Sequence, residues 1–303
     1  MIKNEIIKLF TNKFLLSVLV VIVLAQIGLV FWTQYSDKDS RAYNEIVTDI
    51  KELPQDEVVG YLEDKIEYLE HVHIVMNYVI ADMPLEQLEI ENVESVLQSY
   101  ESGDYLKYTD NVMDELNLYK EIYEEFKEVY FYNTTVNTII DNTERFIKSS
   151  RTDKNSFDYF RALRTRQKYQ NLTDLSPDYV SSRGINSYLE YVMTDYFIMA
   201  FMMFATVVII TMEKENGLTI LSKTTVNGGI KHGLVKSFTL AISCVVVTVL
   251  MNLVTMVVVN GFYPFCDMNA PIQSVCGYGY CSLNVCIWQF IVINILIVRL
   301  IVI

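Results

Sequence analysis

The sequence predicts an all-α membrane protein: four transmembrane helices, with a large, mainly helical extracellular domain between the first and the second. Three observations predict it. Four apolar runs are uninterrupted by charge. The stretch between the first two runs is dense in acidic residues and tyrosine and poor in glycine and proline. The basic residues outside that stretch all fall on one side of the spans.

The apolar runs come first. Phe14 to Trp32 is 19 residues without a charge, and Tyr196 to Met212 is 17. Ser237 to Phe262 is a third run, and Leu283 to Val298 a fourth of 16. At about 1.5 Å of rise per residue, each spans or nearly spans a hydrocarbon core of roughly 30 Å. The first run is too long for the apolar core of a cleavable signal peptide, and no small-x-small site follows it. Trp32 and Trp288 stand near the ends of runs, where the membrane interface favours indole rings.

The net charge of −13 hides an asymmetry. Residues 33–195 hold 33 acidic and 16 basic side chains, whereas the rest of the chain holds 4 acidic and 8 basic. Lys3, Lys8 and Lys13 precede the first run, and Lys214, Lys223, Lys231 and Lys236 lie between the second and third. Arg299 follows the fourth, while the connection Gly261 to Ser282 has Asp267 and no Lys or Arg. By the positive-inside rule both termini and 213–236 are cytoplasmic, and 33–195 and 261–282 face outward. The order is then a cytoplasmic amphipathic segment 1–13, a span 14–32, the extracellular domain 33–195, a span 196–212 and a cytoplasmic loop 213–236. A span 237–260, an extracellular loop 261–282 and a span 283–303 complete it. In the first segment Ile2, Ile6, Leu9 and Phe10 recur at helical spacing, with Lys3, Glu5, Lys8 and Lys13 mostly opposite. That pattern suits a helix lying on the inner membrane surface or a cytoplasmic extension of the first span.

The domain 33–195 has three glycines and three prolines in 163 positions, which favours long helices over a many-stranded sheet. Val58, Tyr61, Leu62, Ile66 and Leu69 follow a three-four spacing, with Pro54 placed at a helix start. Val112, Leu116, Tyr119, Ile122, Tyr123 and Phe126 repeat it, and Ile139, Ile140 and Ile147 continue it more weakly. Carboxylate pairs such as Asp114/Glu115 and Glu124/Glu125 read as helix-surface charges without a cleft. Arg161, Arg164, Arg166 and Lys168 form a basic cluster that pairs with acidic helices or meets an anionic headgroup or substrate.

No GxxxxGK(S/T), GxSxG, HExxH or GxGxxG motif occurs, so the chain carries no phosphate-cradling loop or catalytic signature of those kinds. Neither an enzyme activity nor a cofactor is expected. His71 and His73 at i and i+2 diverge on a helix and read as a solvated or packed pair, not a metal site. Cys244 and Cys286 lie in spans; Cys266, Cys276 and Cys281 share the outward loop, as one disulfide and an odd thiol or as three thiols.

The segment 213–236 is polar and short, with Glu213, Glu215, four lysines and four glycines. Gly217, Gly228 and Gly229 allow two bends. Between them Leu218, Leu221, Ser222 and Thr225 form one side of a short amphipathic helix, or the glycines merely turn the chain back. Glu213-x-Glu215-x-Gly217-x-x-x-Leu221-x-x-Thr224-Thr225-x-x-Gly228, followed by Lys236, resembles the first cytoplasmic loop of bacterial ABC type-2 exporter permeases. Lys3-Asn-Glu5-x-x-Lys8-Leu-Phe10 before the first span and Ala270-Pro271-Ile272-Gln273-Ser274 in the outward loop are similar to that family as well.

The resemblance implies a multi-pass permease subunit in the cell membrane, whose 213–236 loop docks on a separate ATPase subunit. Glu213 and Glu215 would contact the ATPase and Gly217 and Gly228 set the bend. Leu221, Thr224 and Thr225 would pack at the docking surface, and Lys236 would anchor the third span. The implied partners are that ATPase, a second permease copy or paralogue, and the bilayer; nucleic acid is not among them. Family members usually carry six spans, and this chain ends at Ile303, four apolar residues past Arg299, so a C-terminally truncated form is expected. The competing layout is a membrane receptor or immunity-type scaffold that uses the extracellular domain for ligand binding.

Overall fold

The computed structural model describes residues 2–36, 39–88, 90, 93–149, 153–215 and 228–299, without the side chains of 2–5, 55, 56, 87, 212–215, 228–232 and 298. Among these residues the regular structure is helical, apart from one antiparallel bridge between Pro271 and Cys286. The chain divides into two compact units. One contains 1–36, 184–264 and 288–303; the other contains 37–183 and 265–287.

The first unit holds the apolar helices. Helix α1 (Ile2–Thr11) ends at Asn12, whose side chain accepts the Leu15 N–H and caps α2 (Lys13–Tyr35). Helix α10 (Met193–Glu215) and helix α11 (Gly228–Phe262) pack on α2 and on each other. Leu9, Leu15, Ile22, Ile198, Phe201, Ala205, Val208, Val247 and Met251 form their shared core. Leu9 is buried there, so α1 packs into this unit through its apolar face.

The outer faces of these helices are apolar too. Phe14, Val21, Leu24, Trp32, Met203, Val207, Leu253 and Val257 are exposed. So much contiguous exposed hydrocarbon is stable against lipid and not against water. Among the described residues, three helical stretches are long and apolar enough to cross a membrane: Lys13–Tyr35, Ser182–Thr211 and Gly233–Phe262. The second is longer than the expected 196–212, because helix α9 (Ser182–Leu189) leads into α10 and 184–195 belongs to the first unit.

The fourth apolar run differs from expectation. It forms helix α12 (Ile287–Ile293) and a π-helical turn over Asn294–Arg299. Thirteen residues of helix reach only about 20 Å, short of a core of roughly 30 Å. Residues 300–303 lie outside those described.

The second unit is built as its periodicity predicts. Helix α4 (Gln55–Ile80), capped at Pro54, buries Val58, Leu62 and Leu69, leaves Tyr61 and Ile66 half-buried, and continues its buried face with Val72 and Val75. It packs against helix α5 (Val93–Ser102) and helix α6 (Val112–Tyr130), which buries Val112, Leu116, Tyr119, Ile122 and Phe126. Helix α3 (Ser40–Lys51) lies on α6 through Tyr43, Ile46 and Ile50. Helix α7 (Tyr132–Lys148) and helix α8 (Phe157–Gln170) form an antiparallel pair. Ile139, Ile140 and Ile147 on α7 are only half-buried, as their weak periodicity suggested. On α8, Arg166 lies close enough to Glu144 of α7 to help hold its carboxyl down, after the larger effect of Lys148.

Candidate functional site

The residues expected to couple to an ATPase lie at one connection. Glu213 and Glu215 fall in the last turn of α10, Gly228 opens α11, and Lys236 follows two turns into it. Gly217, Leu221, Thr224 and Thr225 lie outside the described residues, so their packing has no structural account. The two apolar helices run right up to this connection, which leaves 216–227 between them.

A second polar centre lies between the apolar helices, and sequence reasoning did not find it. Gln26 of α2 is fully buried. The two hydrogens of its Nε2 are shared among three acceptors, Thr194 Oγ1 (3.2 Å), the Met251 carbonyl (3.0 Å) and Thr255 Oγ1. The Thr255 hydroxyl in turn donates to the Met251 carbonyl at 3.2 Å, so one amide ties α2, α10 and α11 together. Gln26 Oε1 is buried without a partner. Nearby in the same unit, Tyr188 donates to Asn252 Oδ1 (3.3 Å), and Asn252 donates back to the Thr248 carbonyl (2.8 Å). A single glutamine inside an apolar run gives no local signal of its partners, since these lie more than 160 residues away.

The structure places Arg299 differently from the charge-based expectation. It was expected at the cytoplasmic end of a fourth span, on the opposite face from Asp195. Instead its guanidinium is buried and sits 3.3 Å from the Asp195 carboxylate. It also donates to the carbonyls of Tyr188, Leu189 and Tyr191 and to Asn294 Oδ1, each at 3.4 Å. The arrangement follows from helix ends. Tyr188 and Leu189 carry the orphan carbonyls at the C-terminus of α9, which favour a cation. Asp195 occupies the first turn of α10, where the N-terminal dipole favours an anion. One arginine therefore serves both sides of the α9/α10 break.

The second unit carries a buried acid, and here two expectations were wrong. Glu115 and Glu125 were read as surface charges; both are buried, on the inner face of α6. Glu115 accepts the N–H groups of Lys107 (3.2 Å), Tyr108 (3.1 Å) and Thr109 (3.2 Å), which pins the loop entering α6. Its charge is buried because three backbone donors replace water.

Glu125 accepts from Tyr43 Oη (2.7 Å), Tyr179 Oη (3.2 Å) and the Ser182 N–H (3.5 Å). Burial is the largest influence on its carboxyl and raises it; the Tyr43 hydrogen bond opposes that, and the like charge of Glu121 adds to it. The net result is a carboxyl pushed up to about 7. Tyr43 and Tyr179 are driven well above the usual phenol range, first by burial. Arg183 stacks 5.2 Å over the Tyr43 ring and pairs with Glu121 at 3.7 Å. Ser182 Oγ accepts the Cys276 N–H at 2.8 Å, which links the cluster to the 265–287 loop. The Cys276 thiol is pushed up to about 12, by burial and then by Glu128. An i, i+3/i+4 pattern counts Glu125 as polar and cannot reveal that a tyrosine 82 residues earlier covers it.

The remaining candidates are simply placed. His73 Nε2 is 3.1 Å from Asn77 Nδ2, a contact within one face of α4. Among the described residues no His, Cys, Asp and Glu side chains group to hold a metal ion. The five cysteines form no disulfide. The Ala270–Ser274 segment turns into a short 3₁₀ helix at Ile272–Ser274, and Gln273 Nε2 donates to the Cys281 and Leu283 carbonyls, each at 2.8 Å.

Fold and polar centres together define a class: among the described residues, an all-helical protein with three helices able to cross a membrane and a second helical unit formed by 37–183 and 265–287. Comparison with protein-family models, curated proteins and solved structures gives no match.

Proposed function

We propose that the chain is the membrane-spanning permease subunit of an ATP-driven exporter of the ABC type-2 kind. In this reading the 213–236 connection couples it to a separate ATPase subunit on the cytoplasmic face. The observation that carries the reading is the pair of long apolar helices, α10 and α11, that end and begin at the two edges of the motif-bearing connection. A partner that displaced such a connection would move two stiff helices together, because rigid packed elements transmit displacement. The chain itself carries no nucleotide-binding loop, so the energy source is a second polypeptide. The N-terminus is then cytoplasmic, the helical unit 37–183 extracellular, and a second permease copy or paralogue completes the pathway.

The test is capture of an ATP-binding subunit by the tagged full chain from its native membrane, scored by photolabelling with an azido-ATP. E213K/E215K is expected to lower the labelled partner at least tenfold with the same amount of chain in the membrane. Absence of any labelled partner, or equal capture by the variant, would overturn the exporter reading in favour of a receptor or scaffold.

A further inference from the structure

We propose that the helical unit binds an organic cation, a protonated amine or guanidinium, in a cavity walled by Glu124, Glu128, Phe131, Tyr132 and Tyr280.

The cavity has a volume of about 300 Å³, at the small end of ligand sites and sized for one side-chain-like group. It arises where α6 breaks into α7. Phe131 closes one helix and caps the next, so Phe131 and Tyr132 flank the break. The opposite wall is the 265–287 loop, held in place at two points. Gly277, at φ +86°, gives its N–H to Glu128 Oε2 (2.7 Å), and the Tyr280 carbonyl accepts from Tyr169 Oη (2.7 Å).

The wall chemistry selects the ligand. Glu124 and Glu128 are hydrogen-bond acceptors of negative charge. Tyr132 backs the wall: the residue is only 2% exposed, and its hydroxyl is buried without a hydrogen-bond partner. The exposed rings of Phe131 and Tyr280 supply aromatic surface, whose π faces attract cations. A ligand that fits must therefore donate hydrogen bonds and carry positive charge. An anion would meet two carboxylates, and an uncharged apolar group would strip them of water without compensation.

Lys127 is the basic residue in this wall. Its ammonium is directed to Glu124 (3.5 Å) and lies 5.3 Å over the Tyr123 ring, which shows the pairing this wall favours and leaves Glu128 as the main charge for a ligand. The surrounding domain is itself acidic, with 33 acidic against 16 basic side chains over 33–195, and so concentrates cations near the site. Neither the exporter reading nor its partner enters here, because every residue used lies in the second unit.

The test uses the full chain in nanodiscs and isothermal titration at low salt. The probes are 1,5-diaminopentane and acetyl-trilysine amide, with 1,5-pentanediol and acetyl-triglutamine amide as neutral counterparts. Saturable binding of an amine probe is expected, with no binding of its neutral counterpart and at least a tenfold loss in E124Q/E128Q. Binding of the diamine alone identifies a free amine as the source, and binding of the peptide alone identifies a polypeptide; either supports the site. Glutamine at 128 keeps an acceptor for the Gly277 N–H, so the loop should hold. Should that variant lose helical signal, Tyr280→Ala, at a residue 60% exposed, replaces it with the same expected loss. No amine binding, equal binding of the neutral probes, or unchanged affinity in the variants would overturn the proposal.

Discussion

Replacing Glu125 with glutamine should remove a pH dependence that this one carboxyl builds into the helical unit. Burial is the main reason its folded-state carboxyl is raised from 4.5 to about 7. A raised acid is held better in its protonated form by the folded state. Its contribution is therefore complete below pH 4.5, declines as pH rises from 4.5 to about 7, and is flat above that. At about 1.4 kcal/mol for each tenfold change in proton affinity, wild type should lose roughly 2–3 kcal/mol between pH 5 and pH 8 from this group alone. For a unit of this size that is roughly 5–10 °C in Tm. Glutamine cannot ionise, and its side-chain oxygen can still accept from Tyr43, so the variant should lack the decline. The assay is thermal unfolding of the full chain in detergent, followed by circular dichroism at 222 nm in steps from pH 5 to pH 8. Every other titrating group is common to both proteins, so the informative quantity is the difference between the two Tm profiles. Parallel profiles would refute the reasoning, because they would mean that Glu125 titrates at its ordinary value or that water reaches it.

Three further outcomes can be checked in the same way. Asp195→Asn should destabilise by roughly 3 kcal/mol, since it leaves Arg299 buried without its counter-charge, and D195N/R299M should recover part of that in a double-mutant cycle. Additive losses would show that the two side chains do not interact. Gln26→Leu should cost about 1 kcal/mol, the usual scale for polar contacts between membrane helices, and should loosen α2 from α11 in cysteine cross-linking; unchanged cross-linking would discount the amide. Ile122→Ala, at a fully buried position of α6, should cost about 3 kcal/mol by denaturant unfolding, and a loss under 1 kcal/mol would argue against the α4/α6 core.

The contrast between α6 and the polar centres shows what local pattern can and cannot hold. Of the six residues in that pattern, Val112, Leu116, Tyr119, Ile122 and Phe126 proved buried and Tyr123 half-buried, because a three-four spacing already defines a helix face before any partner is known. Glu115 and Glu125 share that inner face and were misassigned, because residue type was weighed above position. A carboxylate can occupy a buried position when donors arrive from elsewhere, and those donors come from Lys107 to Thr109 and from Tyr43, Tyr179 and Ser182. The 213–236 connection stands differently: α10 reaches Glu215, α11 already begins at Gly228, and 216–227 lie outside the described residues.

By itself the sequence determined the all-helical class, three of the four membrane-crossing helices it predicted, and most of the core faces of the helical unit. These depend on composition and on periods of a few residues, which act within one element. Only the tertiary structure decided that Arg299 meets Asp195, that Gln26 joins three helices, and that Glu125 lies beneath two tyrosines. Each of those contacts joins residues from 54 to 229 positions apart. Their identity is fixed by where the chain returns in space, and no window of the sequence records that.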